Sequence, residues 1–308
     1  MKVLVSGGAG FIGSNTVDYL IEKNFEVNVI DDLSRGFKEL VNEKAVFFEG
    51  SFGDKKVLEK ALEGVEAVIH FGAFIYPEES IEKPEMYYKN NVANSVVLLE
   101  EMRKRKINKM VFSSSCSVYG EPKQIPVPEA NPLNPITPYG ETKKVLEKIL
   151  ELYFHSFGIK SVSLRYFNPF GPKELHKPEI HAIPNFIKAV LNQKKIKVFG
   201  DGNQIRDFIF VKDLAKAHVL ALEKIEEIGF DSFNVGSGKG NSVNQTIKTI
   251  FDLTKKTTEI DFLAERKGDP KKLVAETKKI EEKLNWKPET DFKEGLQKTI
   301  DFFESLKK

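Results

Sequence analysis

Gly7-Gly8-Ala9-Gly10-Phe11-Ile12-Gly13 closes an apolar run over Lys2–Ser6 and opens an amphipathic stretch over 11–23. A glycine string in that place permits a tight turn. It also lets backbone N–H groups at a helix N-terminus approach a pyrophosphate. The string satisfies both G-x-x-G-x-x-G and G-x-G-x-x-G. A glycine turn that merely packs helix on strand would read the same, so the context decides. Asp31-Asp32 ends the second apolar run, EVNVID, 18 residues after Gly13. A carboxylate there accepts both ribose hydroxyls and repels a 2′-phosphate, which favours NAD over NADP. Arg35 nearby offsets part of that repulsion.

The rest of the chain repeats this strand–helix rhythm. Strands are predicted at 2–6, 26–31, 45–50, 67–72, 109–115 and 160–167, and helices at 11–23, 84–105 and 139–157. Apolar strands alternating with helices signal a parallel sheet covered on both faces. Six prolines between 122 and 138 make that stretch an ordered loop. Beyond Pro169 helices are predicted near 184–193, 211–225, 242–256, 277–284 and 291–305. The expected fold is α/β: a Rossmann-like, doubly wound parallel sheet with a smaller C-terminal α/β portion that binds substrate. Residues 1–170, with 206–228 returning to them, are assigned to the first, and 171–205 with 229–308 to the second.

Composition removes several classes of function. Lysine and arginine number 47 against 45 acidic residues in 308, so the basic excess of a nucleic-acid binder is missing. Cys116 is the one cysteine, which excludes an intrachain disulfide and any multi-cysteine metal site. The five histidines show no paired ligand spacing, His176 and His181 standing five apart in a proline-bearing loop. The sequence contains no membrane-length apolar run and no signal-peptide pattern, so a cytoplasmic protein is expected.

Tyr139 and Lys143 open the helix after the proline loop and share one face at i, i+4. An ammonium near a phenol favours phenolate and is expected to lower its pKa from about 10. Such a phenol can take and return a hydroxyl proton. Ser113-Ser114-Ser115 ends the fifth strand, where open parallel sheets bind ligands, and Ser115 is placed to hold the same substrate oxygen.

GGAGFIGS, VIDDLSRG, VIHFGA, SSSCSVYG, PYGETK, LRYFNPFGP, FGDGNQIRDFIFVKDLA and RKGDP, in this order, resemble the extended short-chain dehydrogenase/reductase family, most of all its UDP-hexose 4-epimerase branch. The resemblance implies C4 epimerisation of a UDP-hexose through a transient 4-keto sugar, with tightly held NAD. It implies Tyr139 as proton-transfer group, Lys143 as its partner and Ser115 as the bridging hydroxyl. It implies cofactor contacts from Gly7, Gly10, Phe11, Ile12, Gly13, Asp31, Asp32, Ser51, Phe52, Phe71, Gly72, Ala73, Asn90, Tyr139, Lys143 and Phe167. Ser115, Asn168, His181, Arg206, Arg266 and Asp269 match positions that hold the UDP-sugar. Ser51 stands where the family often has aspartate, and His181 where an asparagine holds the diphosphate.

Other sugar-nucleotide chemistries remain open, among them a heptose 6-epimerase and a UDP-N-acetylhexosamine 4-epimerase. Dehydration is disfavoured, because Cys116 and Ser117 occupy the places where dehydratases carry Asp-Glu. A non-catalytic NAD-binding regulator would typically lose Tyr or Lys. Leu273 falls where relatives with a bulky aromatic exclude 2-acetamido sugars, so main activity on UDP-glucose and UDP-galactose is expected. Apolar residues run around much of the predicted helices 84–105 and 139–157, and the resemblance implies a homodimer through them. Bland roles are expected for Cys116 (core thiol), His70 (satisfied interior imidazole) and Trp286 (packing).

Overall fold

The computed structural model describes residues 1–176, 181–265 and 270–307. Strands β1 (Lys2–Ser6), β2 (Glu26–Asp31), β3 (Val46–Glu49), β4 (Ala67–His70), β5 (Lys109–Ser115) and β6 (Lys160–Tyr166) join Phe230–Val235 in one sheet. Its order is Phe230–Val235, β6, β5, β4, β1, β2, β3, and all neighbours pair in parallel. The inner strands are buried along nearly their whole length, which is why they read as continuous apolar runs rather than alternating ones. On one face α1 (Phe11–Glu22) packs against the Val211–Glu223 helix, over a core that includes Trp286. The other face is covered by helices Lys55–Ala61, Asn94–Lys104 and Pro138–Phe157.

Successive strands run outward from β1 through β2 to β3, and the chain then returns to β4 and runs the other way. The sheet's topological switch therefore lies between β1 and β4, where a crevice opens at the strand C-termini. A separate core forms the smaller portion. Helices Ala182–Leu191, Val243–Thr254 and Phe292–Ser305 enclose Phe170, Phe208 and Phe210 there.

The sequence boundaries need correction: Phe170, Phe208 and Phe210 pack in the smaller core, and Ile280, Leu284 and Trp286 in the main one. The segment 229–308 was assigned whole to the smaller portion, but Phe230–Val235 pairs with β6 from Phe230↔Ser161 to Val235↔Tyr166 and completes the main sheet. After Phe230 this strand turns polar (Asp231, Ser232), and Asn234 separates Phe233 from Val235, so no continuous apolar run marks it. The long helix expected over 84–105 is three pieces: α-helix at Pro84–Tyr87, a π-helical stretch at Tyr88–Ala93, and α-helix at Asn94–Lys104. Periodicity does not distinguish such a π segment from a continuous helix. The bland readings stand: His70 bonds Ser6 Oγ at 2.5 Å and Ser95 Oγ at 2.8 Å, and Trp286 is fully buried with Nε1 donating to Asp213 O at 2.9 Å. Cys116 is buried, and burial pushes its thiol up to about 12.

Candidate active site

A cleft of about 970 Å³, measured out to its open mouth, runs along the strand C-termini past the glycine turn. The turn is held shut by its own backbone. Gly7 has φ +72°, and a Cβ there would meet Gly72 N at 2.7 Å. A Cβ on Gly13 would lie 2.2 Å from Gly7 O, so only glycine lets α1 start this close to β1. Gly10, Phe11, Ile12 and Gly13 line the cleft, with Phe71, Gly72 and Ala73 from the end of β4. Phe52 packs against Gly72, where a Cβ would reach its ring at 2.5 Å.

Asp31 also faces the cleft. Its Oδ2 accepts from Ala9 N at 3.0 Å and its Oδ1 from Leu33 N at 2.9 Å. Burial raises its pKa while these two bonds oppose the rise. Each oxygen keeps a lone pair for a hydroxyl. Asp32 Oδ1 accepts from Ser34 N at 3.0 Å and from Ser34 Oγ at 2.5 Å. Arg35, the counterweight weighed above, is engaged by Glu79 at 2.7 Å and lies over the Tyr76 ring at 4.9 Å. Asn90 lines the cleft from the π-helical stretch. Ser51 does not line it, and its hydroxyl accepts from Gly53 N at 3.1 Å. The glycine cradle and the half-satisfied carboxylate fit a dinucleotide.

Tyr139 and Lys143 sit in the first turns of the Pro138–Phe157 helix. Thr137 caps it by accepting from Gly140 N at 3.2 Å, Pro138 opens it, and Gly158 ends it in the left-handed region at φ +69°. Lys143 Nζ donates to Ser113 O at 2.6 Å and lies 6.0 Å from the centre of the Tyr139 ring. Ser115 Oγ donates to Ser117 Oγ at 3.0 Å, and the nearness of the Ser115 hydroxyl to the Tyr139 phenol opposes part of the rise that burial causes there. Helix and strand end thus bring the three side chains together. The expected lowering of the phenol does not occur in the protein alone. Burial pushes Tyr139 up to about 12, and burial likewise pulls Lys143 down to about 7, against the opposing charge of Glu147.

Phe167, expected at the cofactor, and the residues expected on the sugar side are spread around this centre. Phe167 is buried in a cluster with Cys116, Tyr119 and Leu273. Asn168 Nδ2 donates to Asp207 O at 3.2 Å, and Arg206 Nη1 to Pro270 O at 2.8 Å. Arg206 pairs in register with Leu273 across a small sheet. His181 reaches the cleft wall. Arg266 and Asp269 lie outside the described residues.

Sequence reasoning missed the supports. Asn91 Oδ1 accepts from Phe74 N at 2.8 Å while its Nδ2 donates to Thr142 Oγ1 at 3.1 Å, tying the cleft loop to the Tyr139 helix. Glu147 pairs with Arg165 at 2.6 Å and accepts from Ser114 Oγ at 2.5 Å beneath the site. The available signal was an arginine in the middle of a buried strand, KSVSLRYF, with a glutamate one turn after Lys143.

Residues 3–236 match the NAD dependent epimerase/dehydratase family. The chain belongs to that family. A UDP-glucose 4-epimerase of Lactobacillus helveticus is 42% identical over 94% of this chain and 92% of its own length. The crystal structure of UDP-glucose 4-epimerase with UDP-glucose from Thermotoga maritima superposes with a TM-score of 0.94 at 37% identity, covering 100% of both chains. A UDP-N-acetylglucosamine 4-epimerase of Methanobrevibacter ruminantium, in complex with UDP-N-acetylmuramic acid, superposes at 0.93 with 36% identity over 99% of this chain and 98% of its own. As in other members of the family, the cofactor is NAD, and the chain is an epimerase of the Rossmann-like class.

Proposed function

We propose that this enzyme inverts C4 of a UDP-hexose, with UDP-glucose and UDP-galactose as its main pair. The observation that carries the reading is the meeting of Tyr139, Lys143 and Ser115 at the end of β5, beside the glycine-turn cleft. Gly7, Gly10 and Gly13 cradle the pyrophosphate of NAD, and Asp31 takes its ribose hydroxyls. When bound, NAD supplies the oxidising and reducing capacity at C4 of the sugar. Tyr139 takes the proton of the C4 hydroxyl and later returns it. Ser115 orients that oxygen. Lys143, protonated, favours the phenolate. Arg206 and His181, with Arg266 and Asp269, hold the diphosphate and nucleoside, a guanidinium suiting paired phosphate oxygens. Held by its diphosphate, a 4-keto sugar would turn to present its other face to Tyr139 and Ser115.

The test is incubation with UDP-galactose and no added NAD, followed by separation of the hexoses freed by mild acid. Glucose should appear. Protein that carries NAD yet leaves all the sugar as galactose would refute the reading.

The working form is a homodimer built on the 84–104 and Pro138–Phe157 helices. Tyr88, Leu152 and Phe157 lie on these segments 40%, 53% and 51% exposed. A second copy is the occupant that covers them, and light scattering at micromolar concentration should give twice 34.9 kDa. Both NAD and nucleotide sugars are met in the cytoplasm, where we place the enzyme. Among the described residues no helix is long and apolar enough to cross a membrane.

A further inference from the structure

The cleft wall holds a cluster that the sequence spacing did not suggest and that the epimerisation chemistry does not use as a unit. Glu174, His176 and His181 each offer one ligand atom, and these atoms lie within 4.8 Å of one another. Glu174 is buried, its Oε1 2.8 Å from His181 Nδ1 and its Oε2 3.4 Å from Gly171 N. The two imidazole centres are 4.3 Å apart, at 59° to each other. His176 Nε2 is buried and has no hydrogen-bond partner among the described residues. Both histidines line the cleft, alongside Gly10 and Phe11.

We propose that Glu174, His176 and His181 bind a divalent transition cation of the zinc class, with an open coordination position facing the cleft. Two imidazoles and one carboxylate are a donor set that zinc, nickel and cobalt accept. Three protein ligands leave the fourth position to water or to an oxygen of a bound molecule. Tetrahedral ligation at about 2.0–2.2 Å sets donor atoms roughly 3.4 Å apart, so atoms now within 4.8 Å of one another, and 2.8 Å apart across the His181–Glu174 hydrogen bond, have to even out. An ion pair between Glu174 and His181 that only seats the turn accounts for two of the three residues. It leaves the orphaned nitrogen of His176 without a purpose, whereas a cation gives that lone pair a partner.

The test uses the untagged full-length protein with its cofactor bound, passed over a chelating resin. Cobalt(II) titration should give visible absorption bands that saturate at one equivalent and vanish when zinc is added. Mass-spectrometric metal analysis after zinc exposure and desalting should give one zinc per chain. His176→Ala and His181→Ala should each weaken cobalt binding at least tenfold, and His176→Gln, closer in shape, should do the same if the alanine variant folds poorly. His155→Ala, exposed on the Pro138–Phe157 helix, should change nothing. Absence of saturable binding at micromolar cobalt or zinc overturns the proposal. So does a one-equivalent site that survives in His176→Ala or His176→Gln. Neither readout depends on turnover, so a failed epimerase assay and a failed metal site are separate results.

Discussion

At the glycine-turn end of the cleft, the groups proposed to meet the cofactor are fixed by backbone. Asp31 is held between two main-chain N–H groups, and Gly7 and Gly13 sit where any Cβ would collide with main chain. At the other end the work falls to side chains whose ionisation is displaced by burial. Tyr139 is pushed up to about 12 and Lys143 down to about 7, so the protein by itself holds the pair further from a phenolate and an ammonium than the isolated side chains would be. The first end is built for binding before any ligand arrives. The second depends on positive charge brought beside the phenol, which the nicotinamide cation of bound NAD would supply. The binding end thus rests on shape, and the reacting end on electrostatics.

The sharpest test of this contrast is Tyr139→Phe. It removes the proton-transfer group and leaves the glycine turn and Asp31 untouched. Turnover should fall about 10²–10⁴-fold, while NAD stays bound. Loss of cofactor from this variant would show that the two ends are not separable.

Lys143→Met probes the electrostatic end through stability. In the folded cofactor-free protein Lys143 titrates near 7, against an ordinary value of 10.5. Between those values the unfolded chain binds more protons than the folded one, so this group makes stability rise with pH across that window and costs most below pH 7. Lys143→Met should therefore melt higher than wild type at pH 7, by roughly 2 kcal/mol after local relaxation, and the gap should shrink towards pH 9.5. Thermal melts of both proteins across that range check it. A gap independent of pH would mean that burial of the ammonium is not what separates them.

Much of this architecture could be read from the chain because its causes are local. The glycine string, the acidic pair at the end of β2 and the i, i+4 pair of Tyr139 and Lys143 each depend on neighbours within a few residues. What stayed hidden depends on contacts between distant segments. Phe230–Val235 joins the main sheet because β6 offers it an edge, although half of the strand is polar. Asn91 and Glu147 matter through partners 51 and 18 residues away, Thr142 being one and Arg165 the other. The pKa displacements of Tyr139 and Lys143 follow from how deeply each is buried, which spacing does not report. His176 and His181 met no ligand pattern, yet their loop brings the rings together with Glu174.

Asp31→Ala tests the binding end more gently. From the sequence this carboxylate reads as serving ribose alone. The structure gives it a second duty, since Ala9 N and Leu33 N both donate to it. NAD affinity should drop about 10–100-fold, the range of a lost charge-assisted hydrogen bond. Melting temperature should also fall modestly, because two backbone donors at the turn lose their acceptor. Asp31→Asn, which keeps one acceptor oxygen and turns its NH2 on the other backbone donor, should recover only part of the stability and less of the affinity. Equal melting temperatures for wild type and Asp31→Ala would return Asp31 to a ligand-only role.

The narrowest comparison concerns which sugar the reacting end admits. Leu273 is 8% exposed and packs with Cys116, Val118, Tyr119 and Phe167, and it lies opposite Arg206 in the small sheet. Cys116 follows Ser115 directly in sequence, so the Leu273 cluster begins next to the bridging hydroxyl. A leucine there fills space that a small residue would leave for a 2-acetamido group, but less of it than a tyrosine would. UDP-glucose and UDP-galactose should thus be the main pair, with weak turnover of the N-acetylated pair. Leu273→Tyr should abolish the weak activity and spare the main one, and Leu273→Ser should raise the weak one. Steric discrimination of this size is worth about 1–3 kcal/mol, a 10- to 200-fold change in the ratio of kcat/KM values. Because Leu273 also packs a core, Leu273→Ser should lower the melting temperature, whereas the activity ratio compares two substrates on one folded protein and is insensitive to that loss. If neither variant moves the ratio, Leu273 serves the cluster alone, and sugar choice at the reacting end is set by other residues.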